Sequence, residues 1–254
     1  MRSTLLIAWK DFKQIILSPS FFLVAAFCAI IWSITYKGFI SNFAGEMMAS
    51  NMQGRPAPNI IRVVFTQHIQ VTNLLFIFIV PALTMRLISE EKKSRTYDLL
   101  LTSPITATNI VIGKFMAGIA AAATLLAISF LYPAAMGFVA DFSWTTLLSL
   151  YLGIFFITAL YTGAGMFASS LTESPMLAFI MGVIFNFLIW FIGPSTSGTE
   201  IKWLASVMEY LTVGTQMMGF VNGAIQISAV IFFITAISFF VFLSQRVVES
   251  SRWR

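Results

Sequence analysis

The sequence predicts an all-α polytopic membrane protein. It should have six transmembrane helices, an interfacial helix before them, and outer re-entrant or interfacial half-helices before the last span. Three observations carry this. Of 254 residues, 58% are hydrophobic and 10% charged, against roughly 45–50% and roughly 25% in soluble domains, and mean hydropathy is +0.89. The apolar residues fall in runs long enough to cross a hydrocarbon core about 30 Å thick. The charges lie between those runs or near their ends.

Residues 1–18 read as an amphipathic interfacial helix. Leu5, Trp9, Phe12 and Ile16 recur at helical spacing, while Lys10, Asp11, Lys13 and Gln14 lie elsewhere. Ser18-Pro19 then opens the first span, residues 21–40. Ser-Pro returns at Ser103-Pro104 and Ser174-Pro175, with Ser suited to the N-cap and Pro to the first helical position. Residues 38–67 read as a polar outer loop. The second span, 69–88, begins with polar turns in which Thr66, Gln70 and Asn73 share a face. They would line an aqueous vestibule or bond neighbouring helices. His68 stands alone there, and Pro81 should kink the helix.

The third span, 110–138, carries small residues four apart: Gly113, Ala117 and Ala121, then Gly118 and Ala122. This spacing lets helices approach closely. Lys114, near the inner end, is expected to snorkel to the interface. The fourth span, 145–170, repeats the pattern at Ala159 and Gly163 and at Ala164 and Ala168. The fifth, 175–192, holds Asn186, read as bonded to another helix or facing a pathway. Residues 193–223 are too polar and Gly-broken to span. Ile201, Leu204, Met208 and Leu211 share a face there, and Val213, Met217, Phe220 and Val221 follow. The last span is 224–245. The whole chain, 1–254, reads as one transmembrane domain.

Between the second and third spans lies a charged island, residues 86–104. Of the chain's 15 Lys and Arg and 10 Asp and Glu, it holds Arg86, Glu90, Glu91, Lys92, Lys93, Arg95 and Asp98. Tyr97, Leu100 and Leu101 sit at i, i+3 and i+4, giving a short helix with an apolar knob. A loop that only set topology would need no such knob. With six spans, 11 basic residues fall on the side of the termini and island, and four on the other. That excess places the termini and island in the cytoplasm. The net charge of +5 is thus explained by topology, without nucleic acid.

Cys28 is the sole cysteine, so no disulfide forms within the chain. Gly113-Lys114-Phe115 has no Walker-type context, since Thr108 stands where the first Gly belongs. A carrier driven by an ion gradient is the alternative function, but the spans carry no Asp or Glu in their middles. An intramembrane enzyme would have to rest on His68, and no nucleophile-base pair is visible.

Residues 79–106, IVPALTMRLISEEKKSRTYDLLLTSPIT, resemble the cytoplasmic coupling loop of ABC-2-type transporter permeases, closest to the gliding-motility (GldF-like) and NosY-like groups. YLTVGTQMMGFVNG (Tyr210 to Gly223) and RVVESSRWR (Arg246 to Arg254) resemble the last third of the same family. The resemblance implies a permease subunit in the bacterial inner membrane, without its own ATPase motif. It would work with a cytoplasmic ABC ATPase that holds ATP and Mg, and with a second permease chain, identical or related. An extracytoplasmic accessory protein is a further partner it allows. Residues 1–18 become the elbow helix, 89–103 the coupling loop and 193–223 the outer half-helices. Glu90, Glu91, Lys92, Lys93, Arg95, Tyr97, Leu100 and Leu101 become the ATPase-coupling residues. The pathway would lie at the permease dimer seam, with Thr66, Gln70, Asn73 and Asn186 as its candidates. No cofactor or metal is expected in this chain.

Overall fold

A computed structural model describes residues 2–95, 106–191 and 202–251. Within them all regular structure is helical. Helix α1 spans Arg2–Ile16 and α2 Pro19–Met52. A π-helical turn, Ile61–Phe65, leads into α3, Thr66–Thr84, and the short α4 is Ser89–Lys93. Then come α5 (Ala107–Met136), α6 (Trp144–Leu171), α7 (Pro175–Phe191), α8 (Lys202–Leu211), α9 (Val213–Val221) and α10 (Ile227–Ser250). Five segments, Pro19–Met52, Ile61–Lys93, Ala107–Met136, Trp144–Leu171 and Ile227–Ser250, are long and apolar enough to cross a bilayer. Helix α7 is a shorter apolar helix of 17 residues.

Local chemistry sets the helix starts. Ser18 Oγ accepts from the Phe21 N–H at 3.2 Å, with Pro19 at the first helical position. Ser143 caps α6 in the same way. Ser103-Pro104 lies outside the described residues, and α5 is capped by Thr106, whose Oγ1 accepts from the Asn109 N–H at 3.3 Å.

The expected outer loop at 38–67 is mostly helix. Helix α2 continues for 34 residues, about 51 Å at 1.5 Å per residue, well beyond a ~30 Å core. Nothing between Ser41 and Met52 breaks a helix, since Ala, Glu and Met are good formers and Gly38 and Gly45 each face open space. Polarity alone does not end a helix. This one ends at Gly54, in the left-handed region at φ +62°, before Pro56 and Pro58.

Helix α6 is the hub, packing against α3, α5, α7, α9 and α10. Its small residues serve close approach. A Cβ on Gly165 would collide with Thr84 Oγ1, and one on Gly153 would meet Met217 Sδ at 2.5 Å. Helix α9 therefore seats Met217 and Phe220 in a notch of α6. On α7, a Cβ on Gly182 would meet Pro81 Cβ at 3.0 Å.

Pro81 has no N–H, so the Ile77 carbonyl four residues earlier has no intrahelical donor. Asn186 Nδ2 of α7 supplies it, at 3.3 Å. Regular α3 ends three residues on, at Thr84. We predict that Asn186→Leu costs about 1–3 kcal/mol by leaving that buried carbonyl unpaired. In a Pro81→Ala background the same change should cost under about 1 kcal/mol, because the helix then satisfies its own carbonyl. Denaturant unfolding of the four proteins in detergent micelles checks this cycle; equal costs in both backgrounds would refute the pairing.

Candidate coupling site

The chain between α3 and α4 leaves regular helix, and its free backbone groups must find partners. Ser169 of α6 provides them. Its Oγ accepts from the Ile88 and Ser89 N–H groups, both at 3.1 Å, and donates to the Met85 carbonyl at 2.9 Å. Ser89 Oγ also donates to the Met85 carbonyl. Lys92 Nζ donates to the Ser170 carbonyl at 2.5 Å, within the last turn of α6, where the helix dipole favours a cation.

The third tie is ionic. Lys114 Nζ of α5 sits 3.0 Å from Asp11 Oδ2 of α1 and 2.7 Å from Glu91 Oε1 of α4. The Lys114 side chain is 2% exposed, Asp11 9% and Glu91 20%. Charges so far from water persist only when paired. Contrary to the expectation from sequence, Lys114 therefore does not snorkel; carboxylates from two other helices reach it inside the protein. Gly113 makes room, because a Cβ there would meet the Thr4 carbonyl at 2.9 Å.

Helix α1 is turned accordingly. Leu5 and Trp9 of the predicted apolar stripe are exposed, at 58% and 60%. The packed side carries Ala8 and Asp11. The stripe is thus divided: Leu5 and Trp9 face outward, as an interfacial helix needs to reach lipid, while Phe12 and Ile16 pack partly against the apolar core. Beneath the ties lies an apolar cluster of Leu87, Ile88, Ala107, Val111, Met166 and Val248, with Ile15 packed against it. It joins α1, the α3–α4 turn, α5, α6 and α10.

The island candidates divide. Glu91 and Lys92 turn inward; Glu90, Lys93 and Arg95 are exposed. Arg95 ends α4 in the left-handed region, at φ +56°, which is unfavourable for a residue with a Cβ. Tyr97, Leu100 and Leu101 lie outside the described residues. The pathway candidates divide as well. Thr66 Oγ1 donates to the Ile61 carbonyl within the π turn, and Gln70 is exposed. Asn73 Oδ1 accepts from Tyr161 OH at 3.2 Å, buried. Asn186 is fully buried on Ile77, with its Oδ1 unpartnered among the described residues. The expected common face of Thr66, Gln70 and Asn73 is therefore split, because α6 covers Asn73 and leaves Gln70 open.

Sequence reasoning missed Asp11, Lys114, Ser169 and Ser170. The signal was an ionisable Lys inside an apolar helix, which marks a paired or functional site. It also missed the partners of His68, whose Nε2 lies 2.9 Å from Ser129 Oγ, among the rings of Trp32, Tyr36 and Tyr132.

These features define a class: a multi-pass helical membrane subunit whose first helix and charged island are locked to one end of its bundle. The family profile described as ABC-2 family transporter protein matches residues 5–252. The chain belongs to that family, and so is a membrane permease of the ABC transporter kind. No curated protein matches it.

Lys114→Met should cost about 3–5 kcal/mol, since it takes the cation from the buried Asp11 carboxylate and leaves it near a second carboxylate. The triple change Lys114→Met, Asp11→Asn, Glu91→Gln should recover most of that loss, as neutralised ion triads often do. Thermal unfolding in detergent separates the two; a triple variant no more stable than the single one would refute the charge argument.

Proposed function

We propose that this chain is the permease subunit of a bacterial inner-membrane ABC transporter, crossing the membrane six times with both termini and the island in the cytoplasm. A separate ABC ATPase, carrying ATP and Mg, docks on the island and drives export or mechanical work across the membrane, as the likeness to gliding-motility permeases suggests. A second permease chain, identical or related, completes the pathway. Residues 193–223 then form the outer half-helices, and an extracytoplasmic accessory protein meets that side.

One observation supports the reading most: the island is braced inward by Glu91 and Lys92 while Glu90, Lys93 and Arg95 remain exposed. A surface that receives force must be anchored on its inner side and free on its outer side. The buried ionisable residues of this end pair with each other across three helices, which suits a brace better than an ion path, so the reading of an ion-gradient carrier gains nothing from them. The pathway is assigned to the seam between permease chains, lined by α3 and α7, with Thr66, Gln70, Asn73 and Asn186 as the residues to examine.

On this reading Tyr97, Leu100 and Leu101 bury apolar area in an ATPase groove, roughly 1.5–3 kcal/mol for each fully buried side chain. Exposed charges set register more than affinity. Leu100→Asp should abolish co-purification of the ATPase while the permease stays inserted and folded. Charge reversal at Glu90 and Arg95 should weaken it less, and in a salt-dependent manner. Arg55→Glu, near the far end of α2, should change nothing. Wild-type ATPase recovery with Leu100→Asp would refute the docking assignment.

A further inference from the structure

One group of packed rings inside the bundle holds three buried polar atoms with no partner among the described residues: Trp32 Nε1, Tyr36 OH and His68 Nδ1. Trp32 and His68 are 0% exposed and Tyr36 6%. Trp32 and Tyr36 stand one turn apart on the same face of α2. The His68 ring of α3 meets both, with centroids 6.2 Å and 5.3 Å away. Tyr132 of α5 borders all three rings, at 6.4, 5.8 and 5.8 Å. Its own hydroxyl is already satisfied, donating to the Ala29 carbonyl at 2.8 Å.

The role of each atom follows from its surroundings. Pro133 lies inside α5 and has no N–H, so the Ser129 carbonyl four residues earlier lacks an intrahelical donor. His68 Nε2 lies 3.2 Å from that carbonyl and 2.9 Å from Ser129 Oγ. A carbonyl only accepts, so Nε2 carries the ring proton and Nδ1 is an acceptor. Trp32 Nε1 only donates, and Tyr36 OH can do either. One acceptor, one donor and one hydroxyl are thus gathered in an interior where bare polar groups are costly.

We propose that an ordered water molecule is bound between Trp32, Tyr36 and His68. It donates to His68 Nδ1, accepts from the Trp32 Nε1–H and shares its third bond with the Tyr36 hydroxyl. Three bonds to groups that otherwise have none are the usual complement of a buried water. A metal ion would need further ligands, and no group of three His, Cys, Asp or Glu side chains occurs among the described residues. Through His68 the water joins Ser129, whose Oγ lies 3.3 Å from Thr72 Oγ1 and 3.2 Å from Tyr151 OH of α6. The water therefore completes a hydrogen-bonded set running from α2 through α3 and α5 to α6. The site is internal to one chain and independent of ATPase docking and of a second permease.

The test uses the full-length chain reconstituted in lipid vesicles, with water itself as the probe. His68 is the chain's one histidine, so isotope-labelled histidine reports on this ring alone in solid-state NMR. In wild type the proton should sit on Nε2, and magnetisation should pass from water to the ring at short mixing times. Trp32→Phe and Tyr36→Phe each keep a ring and remove one polar partner. Each should reduce the transfer and the double variant should lose it, while the Nε2 proton stays bonded to Ser129 and shows that the local fold is kept. Thr35→Val, whose hydroxyl donates to the Ile31 carbonyl of its own helix, should leave the transfer intact. No transfer in wild type, or transfer undiminished in the double variant, overturns the proposal. A wild-type proton on Nδ1 overturns the assignment of roles and the site with it. A direct Tyr36–Nδ1 hydrogen bond with no water signal would show that the two side chains satisfy each other, and equally overturns it.

Discussion

The burial of the Lys114 ammonium constrains everything at the island end. An ammonium 2% exposed survives only with partners, and its partners come from opposite directions: Asp11 from α1 and Glu91 from α4. If either helix withdrew, the buried ammonium would keep only one of its two carboxylates. The interfacial helix, the island and α5 therefore behave as one body. Such ion clusters are weak evidence for stability but good devices for fixing register, which the proposed coupling role would require.

The second constraint is the break after α3. Pro81 removes one donor, and the turn that follows frees several more groups. Each is met from outside the helix, by Asn186 on α7 and by Ser169 on α6. Gly165 and Gly182 let α6 and α7 come close enough to do so. The break is thus held by the bundle, and it redirects the chain so that Glu91 reaches Lys114 and Lys92 reaches the end of α6. The proline gap, the interrupted helix and the placed island all depend on polar groups far away in sequence.

Much of this was legible in the sequence. Apolar run length placed α5, α6, α7 and α10 to within a few residues, and the Ser-Pro rule placed the starts of α2 and α7. Small residues four apart announced the close packing of α5 and α6. What failed has physical reasons. The polar stretch after Lys37 was read as loop because it lacks apolar content, yet its residues are adequate helix formers and no breaker comes before Gly54. The stripe on α1 was found, but not which of its two faces the bundle would take, because Asp11 reveals its role only when Lys114 stands opposite. Pairings such as Asn186 with Ile77, or Ser169 with the α3–α4 turn, join residues about 80 to 110 positions apart and leave no local pattern to read.

The most direct test is whether the elbow helix and the island move together. Cysteines at Lys13 and Lys93, both exposed, can be spin-labelled, while Cys28 is fully buried and replaceable by Ala. The distance between the labels is then measured in the complex with the proposed ATPase, without nucleotide and with ATP trapped. The account predicts one narrow distribution, the same in both states, that broadens when Lys114 is changed to Met. A wild-type distance that shifts on ATP trapping would show that α1 and the island move independently, and would contradict the brace.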